Sequence, residues 1–196
     1  MARTQAANYA DIRREILRKS AALFARLGYP NATIADLAEA NAISRGLLYH
    51  YFDSKESLLR EMLNEHLDML LDEVRDATAR GDDFEARFRN AIRAMVSINA
   101  ESQDLQIVLL HDLQNLKPAD QKAIVRKQKE ILACITGLIE AFDGGRKITP
   151  RTLKVYTMMV IGMVNYTYVW YDPKGAVGPG EYADMVVDTC LAGLGA

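Results

Sequence analysis

The sequence predicts an all-α protein, on three observations. Apolar residues recur at i, i+3, i+4 and i+7 through most of the 196 residues, and no run alternates as a strand would. Turn formers are scarce, with 12 Gly and 5 Pro. Hydroxyl and carboxylate side chains stand where new helices would start, notably at Thr33, Ser44 and Ser54.

The first helix is expected from Tyr9 to Leu27, with Ile12, Ile16, Leu23, Phe24 and Leu27 on one face and Gly28 as its stop. Tyr29-Pro30-Asn31 makes the turn. Thr33 with Asp36 three residues on is a capping box opening a short helix, Ile34 to about Asn41. After Asn41-Ala42-Ile43, Ser44 caps a third helix from Arg45 to about Tyr51, and Ser54 caps a fourth. The fourth runs from Lys55 to about Arg80 on a stripe of Leu58, Leu59, Met62, Leu63, Leu67, Leu70, Leu71 and Val74, and Gly81-Asp82-Asp83 ends it. Further helices are expected over about 84–101, 104–115, 118–142, 149–171 and 180–194. Asp104 and Thr149-Pro150 are their start signals, and Gly144-Gly145 and Pro173-Lys174-Gly175 their stops.

Composition narrows the function classes. Apolar residues make up 49% and charged residues 26%, which excludes wholesale disorder and collagen-like repeats. The formal net charge of −2 excludes a uniformly basic coat, but the charge is unevenly shared. Residues 1–60 carry nine Lys or Arg against six Asp or Glu, whereas residues 61–196 carry 15 against 20. One end can meet a polyanion that the rest repels. The N-terminal stretch has charges throughout and no apolar core of a signal peptide. Cys134 and Cys190 lie far apart, the pattern of reduced thiols in a cytoplasmic protein. The 17 uncharged residues between Lys154 and Asp172 approach the length of a membrane span but include Thr157, Asn165, Thr167 and four tyrosines, so they are expected as a protein-buried helix and no membrane partner is expected.

Residues 33–52 are the most informative stretch: a capped short helix, a tight turn and a second capped short helix. Ile34, Leu37, Ala38, Ile43, Leu48 and Phe52 are the apolar contacts that would seat this pair on the first helix. Left outward on the third helix are Arg45, Gly46, Leu47, Tyr49 and His50, where an ordinary surface would carry Glu, Lys or Gln. Arg can fork to guanine O6 and N7, Tyr and Leu can meet thymine methyls or phosphate, and Gly46 permits close approach of the backbone to a duplex. Thr33, Ser44 and Lys55 stand at helix N-termini, whose dipoles favour phosphate. The competing reading is a helical adaptor that uses residues 1–60 for protein contacts.

The run TIADLAEANAISRGLLYHYFDSKESLL resembles the DNA-binding signature of the TetR family of transcriptional regulators, with the likeness covering about residues 9–65. That resemblance implies an N-terminal helix-turn-helix domain (1–60) joined through the long fourth helix to a helical ligand-binding and dimerisation domain (61–196). It further implies a homodimeric repressor that leaves a palindromic operator when a small molecule binds. Carried over residue by residue, it gives Arg45, Gly46 and Tyr49 base-proximal roles, puts Thr33, His50, Tyr51 and Lys55 on the phosphate backbone, and leaves Leu48 and Phe52 in the core. Two residues depart from the family pattern. Ala42 stands where Gly is usual, which would cost about 1 kcal/mol in a left-handed turn, and Leu47 replaces a residue that is often Thr.

Beyond residue 65 the reading returns to the residues themselves. The 149–171 helix is apolar on two sides, with Val155, Met159, Gly162, Tyr166 and Trp170 on one track, so it needs two partners: its own core and a second subunit. Candidate effector-binding residues are Met62, Met69, Met95, Asn99, His111, Met159, Met163, Asn165, Tyr166 and Trp170, because thioethers suit varied apolar shapes and the polar groups could orient a carbonyl. The segment WYDPKGAVGPGEYAD is similar to a subgroup that senses CoA thioesters of aromatic, fatty or steroid acids. Such a ligand would call on basic residues among Arg87, Arg89, Arg93, Lys117, Lys122, Arg126, Lys127 and Lys129 for its phosphates; a drug-like compound without CoA is the alternative. No catalytic set, metal-ligand spacing, phosphate-binding loop or cofactor motif stands in the chain, so neither an enzyme nor a cofactor is expected.

Overall fold

A computed structural model of the protein describes residues 2–142 and 148–194. These residues form helices α1 (Ala2–Leu27), α2 (Ile34–Ala40), α3 (Arg45–Tyr51), α4 (Lys55–Ala79), α5 (Phe84–Glu101), α6 (Gln103–His111), α7 (Pro118–Glu140), α8 (Leu153–Asn165), α9 (Thr167–Trp170) and α10 (Pro179–Leu194), with a single 3-10 turn at Leu113–Asn115. No strand occurs among the described residues. The chain forms two compact units, one of residues 1–66 and 104–124, the other of residues 67–103 and 125–196.

In the first unit α1 packs on α2 and α2 on α3. The caps form as expected. Thr33 Oγ1 accepts the Asp36 N–H at 3.1 Å while Asp36 Oδ2 accepts the Thr33 N–H at 2.8 Å, and these bonds hold the Asp36 carboxyl below the usual carboxylate range. Ser44 Oγ accepts the Leu47 N–H at 3.1 Å. Between the two helices Ala42 takes φ 55°, the left-handed conformation in which a Cβ is strained. Leu37, Ala38, Leu48 and Phe52 are buried beside Ile16, Leu17, Leu23 and Phe24 of α1, with Ile34 and Ile43 half-buried. Arg13 of α1 lies 5.4 Å over the Phe52 ring and pairs with Glu61 and Glu65 of α4. All eight residues of the expected α4 stripe are buried.

In the second unit α10 lies along α5, and α8 packs against both. Arg89 donates to Asp184 at 3.1 Å and to Asp188 at 2.9 Å, while Arg93 makes two bonds with Asp184. Phe84 stacks between Phe88 and Phe142.

Three element boundaries differ from expectation. Helix α1 begins at Ala2 rather than Tyr9, and the 104–115 helix is α6 followed by the 3-10 turn. The 149–171 helix is a turn at 149–152, then α8, then α9, broken at Tyr166. At the break the Val164 carbonyl accepts the Thr167 hydroxyl at 2.8 Å and the Asn99 amide at 3.4 Å, and the Met163 carbonyl accepts the Tyr182 hydroxyl at 2.7 Å. The Gly144-Gly145 stop lies outside the described residues.

Candidate nucleic-acid interface and apolar cavity

Helix α3 contributes only Leu48 to the core, so most of its seven residues face outward. At about 100° per residue, Gly46 and His50 lie opposite Leu48, with Tyr49 and Leu47 on the two flanks. Tyr49 is 50% exposed and Leu47 41%, an apolar and aromatic surface open to solvent. Gly46 adds no side chain to that ridge, and the nearest atom to a Cβ built there is the Ser44 hydroxyl at 3.9 Å.

Arg45 stands apart from most of the basic residues around it. Arg13 pairs with Glu61 and Glu65, Arg14 with Asp11, and Arg18 and Lys19 with Glu15. Arg45 makes no ion pair among the described residues and is exposed at the first turn of α3. A planar guanidinium held at a helix N-terminus beside an uncovered phenol has the chemistry to read a major-groove edge.

Two expected phosphate contacts make bonds within the protein. Lys55 donates its ammonium to the carbonyls of Tyr29 and Ala32, both at 2.8 Å, and lies 4.2 Å over the Tyr29 ring. Burial pulls its pKa down, against the opposing pull of the Asp112 carboxylate. Lys55 is therefore a tie between α4 and the turn after α1, since two of its three donors are already engaged. Thr33 is exposed, but its hydroxyl is occupied within its capping box. Ser44 and His50 are exposed and Tyr51 is half-buried. Tyr51 stacks on Tyr9 of α1 with centroids 4.6 Å apart, a contact across 42 positions of sequence that no local pattern announces.

The candidate effector residues do not converge on one place. Met62, Met95 and Asn99 are buried, while Met69 is 47% exposed and His111 is also on the surface. Those last two line no enclosed site, because α4 and α6 turn them outward. Asn99 instead donates to Val164 and lies 3.5 Å from the Asn165 side-chain oxygen, which commits it to the α8 break. Met159 and Met163 do come together. With Ile139, Tyr156, Val160, Thr189, Cys190 and Gly193 they line a cavity of about 150 Å³ between α7, α8 and α10. Burial pushes the Cys190 thiol up to about 11, so it is neutral and adds to the apolar wall. Thr189 turns its hydroxyl onto the Met185 carbonyl. Sequence periodicity missed Tyr156, Thr189 and Cys190 because they come from two helices whose mutual register is a tertiary outcome.

Around this cavity a stripe of large apolar groups stays exposed: Val155, Met158, Met159, Tyr166, Val169 and Trp170 on α8 and α9, and Met185 on α10. Trp170 packs only its edge against Tyr171 and Tyr182. Tyr166 and Trp170 thus belong to an outer face rather than to the cavity wall. Most of the basic residues considered for phosphate are also engaged. Arg89 and Arg93 hold Asp184, Lys127 holds Asp68 at 2.6 Å, Lys117 faces Glu56, Arg126 faces Glu130 and Arg87 donates to the Gly81 carbonyl. Among the described residues, no group of three or more His, Cys, Asp or Glu is placed to hold a metal ion. No helix among them is long and apolar enough to cross a membrane.

Comparison with known proteins decides what kind of molecule carries this surface. Residues 16–62 match the family described as bacterial regulatory proteins, tetR family, and residues 81–194 match the tetracyclin repressor-like C-terminal domain. The chain belongs to the TetR family. Proteins of that family are DNA-binding transcriptional regulators rather than enzymes. A TetR-family regulator from Bordetella parapertussis 12822 has a solved structure that is 36% identical, with a TM-score of 0.86 over 92% of this chain and 94% of that one. The HTH-type transcriptional repressor KstR2 of Rhodococcus jostii (strain RHA1) is 40% identical over 92 residues, which is 47% of this chain and 43% of the repressor. The chain thus spans less than half of that relative's length. The structure of AibR in complex with isovaleryl coenzyme A and operator DNA is 23% identical, with a TM-score of 0.77 over 91% of this chain and 97% of that one, a likeness of fold.

Proposed function

We propose that this TetR-family protein is a homodimeric repressor in the cytoplasm that binds a near-palindromic operator through α3 and is released by a small apolar effector. On this reading residues 1–60 are the DNA-binding head and residues 61–196 the effector-binding and dimerisation body. The observation that carries it is the exposed α3 surface, where Arg45, without an ion pair among the described residues, and half-exposed Tyr49 stand beside Gly46. Arg45 and Tyr49 would face base edges, with Gly46 giving close approach and Leu47 meeting a thymine methyl. Thr33, Ser44, His50 and Tyr51 would lie along the phosphates. The exposed apolar stripe on α8, α9 and α10 is the natural face for a second copy, because a twofold axis covers one such patch with the other. Two heads so joined read two half-sites.

The effector reading rests on the cavity. Its volume, about 150 Å³, suits a single ring or a short branched acyl chain rather than a whole drug-sized molecule. An acyl-CoA would insert its acyl group there and leave the nucleotide outside. Lys129, exposed on α7 and without an ion pair among the described residues, is then a cation for its phosphates. The repressor direction is supported by the name of KstR2, and a thioester by the AibR complex.

Fluorescence anisotropy on a labelled duplex from upstream of the protein's own gene tests the reading. Nanomolar binding that weakens steeply with salt is expected. R45A or Y49A should cost about 1–3 kcal/mol and relax specificity. Variants that bind every sequence as the parent does would remove α3 from the interface. Titrating short acyl- and aryl-CoA thioesters against the complex is expected to release the duplex; release by the free acids alone would reject the thioester and keep the apolar effector.

A further inference from the structure

Helix α3 is weakly anchored by the core, since Leu48 is its single buried residue. A reading helix must hold its place to within about 0.5 Å, so something else must steady its outer side. The candidate is Tyr9, eight residues into α1. Its ring stacks on Tyr51 at 4.6 Å and 28° and meets His50 edge-on at 6.1 Å and 85°. His50 and Tyr51 in turn meet edge to face at 5.5 Å and 81°. These three rings form a closed cluster on the flank opposite Tyr49. Tyr9 is itself 41% exposed, so one face serves the cluster while its rim stays open to solvent. Aromatic pairs at such separations favour offset-stacked and edge-to-face geometry, and the cluster has both.

We propose that Tyr9 is a positioning residue for operator recognition, its ring fixing His50 and Tyr51 so that the outer ridge of α3 meets the phosphate backbone in one orientation. This rests on the reading of α3 as the DNA-contacting helix. The ring, not the phenol hydroxyl, is the working part, because each contact to His50 and Tyr51 is made by ring faces and edges. An aliphatic side chain would keep bulk there but lose the directional pairing.

The test uses the full chain and the same labelled upstream duplex. Y9F is expected to bind within about twofold of the parent, whereas Y9A and Y9L each weaken binding about three- to tenfold, the range of an aromatic pair. Their melting temperatures should stay near the parent's; if Y9A melts early, Y9L, which keeps the apolar bulk, decides. Y9A combined with Tyr51→Ala should lose less than the two single losses added, because both remove one stack. Equal binding by Y9A, Y9L and the parent overturns the proposal, as do equal losses in Y9F and Y9A, or losses that simply add. R45A is the control on the underlying reading: if R45A loses affinity and the Tyr9 variants do not, only the positioning role falls. If R45A also binds as the parent does, the assignment of α3 itself is wrong.

Discussion

The Lys55 ammonium lies 4.2 Å above the ring of Tyr29 and donates to that residue's own carbonyl at 2.8 Å. A second bond reaches the Ala32 carbonyl, and the Tyr29 N–H donates to Asp112 at 3.2 Å, so the turn between α1 and α2 is gripped from two sides. Replacing Lys55 by Met keeps the stem but leaves both carbonyls without their donor. A loss of about 1–3 kcal/mol is expected, read by urea denaturation. A K55M variant as stable as the parent with weaker DNA binding would instead make Lys55 a phosphate contact.

Ala42 pays for its left-handed backbone at every folding event. The conformation costs an L-residue about 1–2 kcal/mol, and glycine there would give back about 0.5–1 kcal/mol in unfolded-chain entropy. Ala42→Gly is therefore expected to stabilise the protein by up to about 1 kcal/mol, visible as a higher urea midpoint at unchanged slope. A lower midpoint would mean that the left-handed cost is already relieved by the Ala42 N–H bond to Glu39.

His66 is buried, its Nδ1 has no hydrogen-bond partner among the described residues, and burial pushes its pKa down to about 4. The folded state therefore holds it neutral, while the unfolded chain takes up a proton below about 6.5. Stability should be complete above that pH and decline as pH falls from about 6.5 towards 4, by up to about 3 kcal/mol. H66L should flatten that part of the profile. Parallel profiles for parent and variant between pH 4.5 and 7.5 would show that His66 is not the group responsible.

The cavity of α7, α8 and α10 predicts a separation of functions. C190F would place a ring inside a space sized for one ring. Operator affinity should stay near the parent's while release by the effector disappears. Loss of both would point to a disturbed α10, and retention of release would move the effector elsewhere.

The short-range features of this molecule were readable from its sequence, and the long-range ones were not. Thr33 with Asp36, Ser44 with Leu47, and the strained Ala42 are all matters of three or four neighbouring residues, whose hydrogen bonding is set by spacing. The α4 stripe was equally plain, because one face of a 25-residue helix repeats its period many times. The bonds of Lys55 were not legible, because a lysine at a helix start suits phosphate in general, whereas its acceptors in the fold lie 26 and 23 residues earlier. The break at Tyr166 needs Asn99, 65 residues from Val164, and the Tyr9 stack needs Tyr51. That Met69 and His111 face outward was not legible either, because composition says which side chains suit a cavity, not which way a helix turns them.

One shared oxygen has a wider effect. The Val164 carbonyl, claimed by Thr167 and Asn99, stands where α8 gives way to α9, so the hydrophobic ridge from Val155 to Trp170 is carried by two helices that meet at Tyr166. A dogleg is a lock that admits only a matching key. A copy of the same chain, turned about a twofold axis, carries the same elbow, while a sister protein with a straight helix would touch on one side of the joint and gape on the other. On the proposed dimer, fidelity of pairing would then come from shape, with no need for a single charged contact.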